Sequence, residues 1–390
     1  MKIAFIGQKG IPATWGGIEF HVEELARRLA ARGHQVTVYV RSWYTPKGKS
    51  QVPKSEFQKG NPNSELYDGV RLINTPTWKT KHLDAFVHSF TSTIHALFQG
   101  YDIIHYHAIG PSFFCWIPKL LGKKVVVTIH RFDYLAAKWG TFAQLSLRFS
   151  EKFALSVPHR TIVVARHQQD HYRVQGYKNL KYIPNGVPIL ERLNPEIIRQ
   201  KYGLGKQTYL FFAGRLTPEK RIDWIINTYI KLPDSYQSAY KLVIAGGSSA
   251  TDAYERDLHN LAGTNQNIIF TGYVQGKEKQ ELFSNAKLFI LPSAVEGLPI
   301  ALLEGMSYGL PCLVSDIPPH REVIQNNHNG ILFTQDAESD LFVKLTTILD
   351  QPNTDLEQLG FTAKKKAQLE YDWKNIVTQT EQVYSELFNH

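Results

Sequence analysis

Cysteine is nearly absent. The 390 residues hold only Cys115 and Cys312, one in each half and each inside an apolar stretch, which argues against a disulfide framework and fits a reducing cytoplasm. No run approaches the roughly 18 uninterrupted apolar residues of a membrane-spanning helix. The opening MKIAFIGQKG is far short of a signal-peptide core and reads as a first strand. Low-complexity tracts and short repeats are also missing, and 43% apolar, 12% aromatic and 20% charged residues give no reason to expect extended disorder. The early glycines, at 7, 10, 16 and 17, do not make G-x-G-x-x-G, and no acidic residue closes QVTVYV, so a nicotinamide cofactor is disfavoured. There is no D-x-D flanked by strand residues. His105 and His107, read as pointing to opposite faces of one strand, lack carboxylate companions at ligand spacing. Neither a metal nor any other cofactor is expected.

What is present is enough chain for two domains. KIAFIG, QVTVYV, RLIN, DIIHYH, KVVVTIH, RTIVVA and KYIPN are candidate strands of the first half, and YLFFAG, KLVIAGG, NIIFTGY, KLFILPS, PCLVSD and GILF of the second. Apolar residues on consecutive positions, with amphipathic stretches between the runs, predict parallel strands covered on both faces. The fold class is therefore α/β, two Rossmann-like doubly wound domains facing across a cleft, with boundaries at 1–187 and 188–371. Pro188 to Lys206 reads as the connection. A closing helix within 372–390, with Ile376, Val377, Val383, Tyr384 and Leu387 at helical spacing, is expected to pack back on the first domain. Residues 1–186 hold 25 Lys and Arg against 11 Asp and Glu, whereas the whole chain has a net charge of only +9. A basic half can meet nucleic acid, an anionic membrane surface or acidic small molecules, or simply be a solvated face. Nucleic acid is disfavoured, because the aromatic-interleaved basic motifs of the known modules are missing.

In doubly wound sheets, ligands bind at the carboxyl ends of the strands, so the loops there are where chemistry is sought. The strongest signal is LFILPSAVEGLPIALLEGMSYGLP, residues 288–311. A strand ends at Pro292, a turn holds Glu296 and Gly297, and Leu298 leads to Pro299 at the position favoured in the first turn of a helix that Gly309 ends. The helix start, with its dipole, makes an anion site suited to phosphate. Glu304, a turn and a half in, can accept two hydrogen bonds from a cis-diol such as ribose, and Glu296 stands at the mouth. As an isolated pair they could equally be solvated residues flanking a structural helix.

The second signal is FFAGRLTPEKRID, residues 211–223, where a strand is followed by Gly214, Arg215 and, past a proline turn, Lys220. Guanidinium and ammonium together can offset the charge of a departing nucleoside diphosphate without magnesium. In the first loop, GQKGIPATWGGIEFHVEEL, Gly16 and Gly17 open a helix where bare backbone can approach phosphate or sugar. In VVVTIHRFDY, His130 ends a strand and can serve a sugar hydroxyl or a structural hydrogen bond; His107 and Asp133 are acceptor-side candidates. Asn185 lies in the turn IPNGV, and backbone from Gly272 through Tyr273 to Val274 is a candidate for base contacts.

E-G-L-P-x4-E, with Glu296 and Glu304 separated by seven residues, resembles the signature of glycosyltransferase family 4, retaining enzymes of the GT-B fold. The similarity extends over nearly the whole chain and includes G-L-P-C-L-V-S-D. The resemblance implies a nucleotide-diphosphate sugar as substrate, with Arg215 and Lys220 on the leaving diphosphate, Glu304 on the ribose, and Glu296 and His130 on the transferred sugar. It also implies front-face transfer to a saccharide in surface-polysaccharide assembly, and the basic first half makes a lipid-diphosphate-linked saccharide a reasonable acceptor. The opening segment resembles a branch that contains rhamnosyltransferases. In KWGTFAQLSLRFSEKFAL, Phe142, Leu145, Phe149 and Phe153 share one helical face near Lys138, Arg148 and Lys152, as in a helix lying on the inner face of a membrane or in one facing a core. The competing readings are a nucleotide-sugar epimerase or hydrolase of the same fold and a basic nucleic-acid-binding protein.

Overall fold

Short runs of Val, Ile and Phe with no polar interruption become parallel strands buried on both faces. The computed structural model describes residues 1–14, 16–44, 57–59, 64–78, 83–135, 140–247 and 252–389. They divide into two compact units, Met1–Asn185 with Trp373–His390, and Gly186–Asp372.

The first unit contains β1 (Lys2–Ile6), β2 (Gln35–Arg41), β3 (Phe57–Lys59), β4 (Ser64–Tyr67), β5 (Val70–Thr75), β6 (Ile103–His107), β7 (Lys124–Ile129), β8 (Arg160–Val163) and β9 (Leu180–Tyr182). Their order is β3-β4-β5-β2-β1-β6-β7-β8-β9. All pairs are parallel except β3 with β4 and β4 with β5. These two antiparallel strands escaped the sequence reading, because they are short and SELY offers no apolar run. Alternate residues of β1 serve opposite cores. Ile3 and Phe5 pack with Val22, Leu25 and Leu29 of the helix Gly17–Ala31 and with Trp373, Ile376 and Val377 of the closing helix. Ala4 and Ile6 face Ile104, Tyr106, Val125 and Val127. Trp373 is 1% exposed, and its truncation to alanine should cost about 3–5 kcal/mol, since so large a cavity cannot collapse.

The second unit contains β10 (Tyr209–Ala213), β11 (Lys241–Ala245), β12 (Ile268–Gly272), β13 (Leu288–Leu291), β14 (Cys312–Ser315) and β15 (Ile331–Phe333). All are parallel, in the order β12-β11-β10-β13-β14-β15. The segment expected as a connection, 188–206, is instead fastened to this unit. Arg192 donates to the Tyr308 and Gly309 carbonyls at 2.7 and 2.6 Å, and the Glu196 and Ile198 N–H groups donate to Glu281 at 2.9 and 3.1 Å. Side chains, not apolar periodicity, hold the segment, which the expected boundary after residue 187 also places with the second unit.

Both cysteines are buried free thiols. No helix among the described residues is long and apolar enough to cross a membrane.

Candidate active site

The strand orders place a reversal between β10 and β13 in one unit and between β1 and β6 in the other. At such a point successive crossovers leave in opposite directions, and the loops at the strands' carboxyl ends part to admit a ligand.

In the second unit, the loops after β10 and β13 are tied together. The Ala294 N–H donates to the Glu219 carbonyl at 2.8 Å, and the Lys220 ammonium donates to the Glu296 carboxylate. The two side chains are only 14% and 10% exposed. Burial pushes the Glu296 carboxyl up, but the positive charge of Lys220 foremost, with His320, outweighs it and holds the carboxyl below its ordinary value. Burial drives His320 itself down to about 4, so near neutrality it is uncharged and Lys220 is the partner that counts. Arg215 lies on the same loop, its carbonyl accepting from the Thr217 N–H at 3.0 Å. Gly214 follows β10 and is pressed against Gly246, which has φ +146 and whose missing Cβ would stand 1.8 Å from the Gly214 oxygen. No side chain fits at 246 without displacing the loop that carries Arg215.

Gly297, Leu298 and Pro299 are buried. The helix that follows is Ile300–Ser307, so Pro299 is its capping residue and not its first helical one. The Leu302 and Leu303 N–H groups close the first turn on the Pro299 carbonyl at 3.1 and 3.2 Å. Glu304, 7% exposed, accepts from Lys279 at 2.5 Å. Lys279 belongs to the helix Gly276–Asn285, which begins just after Gly272, Tyr273 and Val274. This short helix thus links the segment expected at the base to the carboxylate expected at the ribose.

In the first unit, Gly16, at φ +98, caps the helix Gly17–Ala31. The loop before it is braced by that helix's own acids. The Lys9 N–H donates to Glu19 at 3.2 Å and the Ala13 N–H to Glu23 at 2.7 Å, and the Tyr67 hydroxyl donates to Glu23 at 2.6 Å. Two buried carboxylates at this helix start repel phosphate, so of the two ligands expected at Gly16 and Gly17 the sugar suits the loop better.

His107 ends β6, and His130 follows β7; Nδ1 of the first and Nε2 of the second are 3.2 Å apart. His21 stands over His130 with ring centroids 4.8 Å apart and is hydrogen-bonded to Asn185, which places Asn185 in this cluster. Burial lowers His21 to about 4 and moves His107 and His130 downward, so all three are neutral at neutral pH. The expected opposition of His105 and His107 is wrong. Residues two apart on a strand share a face, and these rings stack at 4.3 Å. One ligating nitrogen from each of His21, His107 and His130 lies within 4.8 Å of the others, a set that could hold a transition metal or bind hydroxyl groups. Asp133 accepts from Arg131 at 3.1 Å, so its charge is matched locally.

Residues 15–189 match the family described as Glycosyltransferase Family 4, and residues 194–366 match Glycosyl transferases group 1. Together these matches cover most of the chain. It belongs to the GT-B glycosyltransferases. An uncharacterised glycosyltransferase of Methanocaldococcus jannaschii is 26% identical, with 98% of each chain covered. The UDP-Gal:alpha-D-GlcNAc-diphosphoundecaprenol alpha-1,3-galactosyltransferase of Escherichia coli is 27% identical over 60% of this chain and 62% of its own. Among solved structures, Anabaena HepE in complex with UDP-glucose superposes with a TM-score of 0.78 at 18% identity, covering 99% of this chain and 100% of that one.

Four residues of the candidate site were missed in the sequence. Lys279 lies in a polar helix with many charges, and His21 follows the glycines but belongs to no metal or catalytic spacing. Gly246 looked like an ordinary strand end. His320 is buried, with Nδ1 bonded to the Ser315 carbonyl at 2.7 Å and Nε2 without a hydrogen-bond partner among the described residues. Its one legible signal was a histidine just past the Pro-Pro that opens a helix after β14.

Proposed function

We propose that this glycosyltransferase moves a hexosyl or rhamnosyl group, with retention of configuration and without a metal, from a nucleoside diphosphate donor to a saccharide or lipid-diphosphate-linked saccharide. The observation that carries this is the Lys220–Glu296 pair, which sets a cation on the loop after β10 against a carboxylate on the loop after β13. The donor diphosphate lies against Arg215 and Lys220, whose charge strengthens its hold as the leaving oxygen becomes negative. Glu304 takes the ribose hydroxyls, displacing Lys279. Glu296 and His130 meet the transferred sugar, and the departing phosphate receives the proton of the attacking hydroxyl on the same face. The acceptor of the E. coli relative is a sugar on diphosphoundecaprenol, which supports a lipid-linked acceptor here and peripheral work at a membrane in surface-polysaccharide assembly.

Metal-free chemistry is favoured by the histidine pair itself. A hydrogen bond between His107 Nδ1 and His130 Nε2 requires a proton on one of them, which removes that nitrogen as a ligand. The test is a panel of nucleotide sugars scored by thermal stabilisation, then diphosphate release with and without lipid-linked acceptors, in EDTA and in its absence. Release should need the acceptor and continue in EDTA. Equal release without acceptor would make the protein a donor hydrolase, and loss in EDTA restored by zinc would make the three histidines a metal site.

A further inference from the structure

Several exposed apolar groups of the first unit lie against one another. Phe86 and Phe90 of the helix Asp84–Leu97, Phe113 and Phe114 of the turn Pro111–Cys115, and Phe149 and Phe153 of the helix Thr141–Ser156 form an unbroken chain of rings. Centroids are 5.4 Å apart for Phe90–Phe114, 4.7 Å for Phe86–Phe114, 6.2 Å for Phe86–Phe113 and 6.3 Å for Phe113–Phe149. Water reaches much of this surface: Phe86 is 50% exposed, Phe149 55%, Leu145 66% and Leu120 75%. Single exposed apolar residues are ordinary, but a continuous platform drawn from three elements marks a docking surface.

Its charges decide what docks. The acids on these elements are turned inward. Asp84 is buried and paired with Arg41 at 2.7 Å, and Glu151 accepts from the Tyr172 hydroxyl at 2.5 Å. Arg148 and Lys152 are exposed on the outer side of their helix, next to Leu145 and Phe149. Of the sequence's own candidates for this face, Lys138 and the side chain of Phe142 lie outside the described residues. An apolar platform with cations outside and acids folded within complements an anionic bilayer, whose interface takes aromatic rings while its headgroups meet lysine and arginine.

We infer that this face of the first unit, and not one helix alone, seats the protein on anionic phospholipid. The turn Pro111–Cys115 follows β6, which ends at His107, and the helix Thr141–Ser156 follows the segment after β7 that carries His130 and Asp133. A lipid-linked acceptor would therefore keep its tail in the bilayer while its saccharide reaches those side chains, an extension that rests on the transfer reaction proposed above.

The test needs neither donor nor acceptor. The full chain is sedimented with vesicles of phosphatidylcholine alone and of equal parts phosphatidylcholine and phosphatidylglycerol. It should pellet with the anionic vesicles and be released by salt. Arg148→Glu with Lys152→Glu should weaken this by about tenfold or more, given roughly a fivefold effect for each cation near a charged surface. Leu145→Ser with Phe149→Ser should weaken it by about tenfold or more, from lost apolar transfer. Both variants should keep the wild-type melting temperature and nucleotide stabilisation. The inference is overturned if the protein stays in the supernatant with both vesicles, or if both variants pellet like wild type. A wild-type dimer that Phe149→Ser converts to monomer overturns it too, since the face would then belong to a second copy. Intact vesicle binding without transfer to any lipid-linked saccharide would instead sink the proposed acceptor and leave the surface standing.

Discussion

The Lys220 ammonium and the Glu296 carboxylate hold one another across two neighbouring strand-to-helix loops, so the cation proposed to meet a leaving diphosphate already has a counter-charge on the protein. The pair keeps Lys220 in place before substrate arrives, and a preorganised charge acts without reorganising at the moment of reaction.

Turnover should therefore fall by about two to three orders of magnitude in Arg215→Ala and in Lys220→Ala, the scale of removing one preorganised donor. The measurement is diphosphate release at saturating donor and acceptor. Near-wild-type rates in both variants would remove these residues from the leaving-group site.

Removing Lys220 also changes how stability depends on pH. In the wild type, the net effect on the Glu296 carboxyl is downward. Its stabilising contribution is thus present above the ordinary carboxylate range and fades as pH falls through the lower native value. In Lys220→Met burial acts without the cation, and the sign reverses. The variant should lose about 3 kcal/mol at neutral pH, as when a buried pair is broken, and recover part of it towards pH ~4.5 as the carboxyl takes a proton. Adding Glu296→Gln to Lys220→Met should restore most of the neutral-pH stability. Denaturant unfolding at the two pH values decides, and an equal loss at both contradicts the account.

Glu304 accepts from Lys279 at 2.5 Å and is expected to exchange that partner for a ribose diol. Glu304→Gln should weaken nucleoside diphosphate binding by about tenfold or more, since a hydrogen bond to a charged group contributes about 1.5–3 kcal/mol. The control is a 2′,3′-dideoxynucleotide, which wild type and variant should bind alike in titration calorimetry. If the variant weakens both ligands equally, Glu304 acts elsewhere.

Most of the architecture was legible because it rests on one strong signal, consecutive apolar residues in short runs, and all thirteen such runs became strands. What was not legible depended on polar contacts distant in sequence. Arg192 and Glu281 fasten the segment 188–206, and neither announces its partner by spacing. The site divided in the same way. Gly214, Arg215, Lys220, Glu296 and Glu304 stood in recognisable loops, yet Lys279 and His320 become relevant only when helices bring them to those loops. The histidines failed for another reason: His105 and His107 were assigned opposite faces although a period of two puts them on one.

That histidine cluster makes the first unit acid-sensitive in a defined direction. His21 has a native value of about 4 against an ordinary 6.5, and burial is the leading cause. A group lowered in this way stabilises the fold fully above its unfolded value and loses that contribution as pH falls from there towards the native one. At pH ~5 the loss for such a residue is about 2 kcal/mol, from roughly 1.4 kcal/mol per unit. His105 and His107 add losses of the same sign, because both are also held low by burial. His21→Gln keeps a polar side chain at the site but nothing that titrates there. Its fall in stability between neutral pH and pH ~5 should be smaller than that of the wild type by about the amount assigned to His21. Unfolding followed by near-ultraviolet circular dichroism reports this directly, since His21 lies 5.5 Å from the Trp373 ring. Equal acid losses in both proteins would mean that His21 takes up its proton at the same pH folded and unfolded, and the downward shift by burial would have to be abandoned.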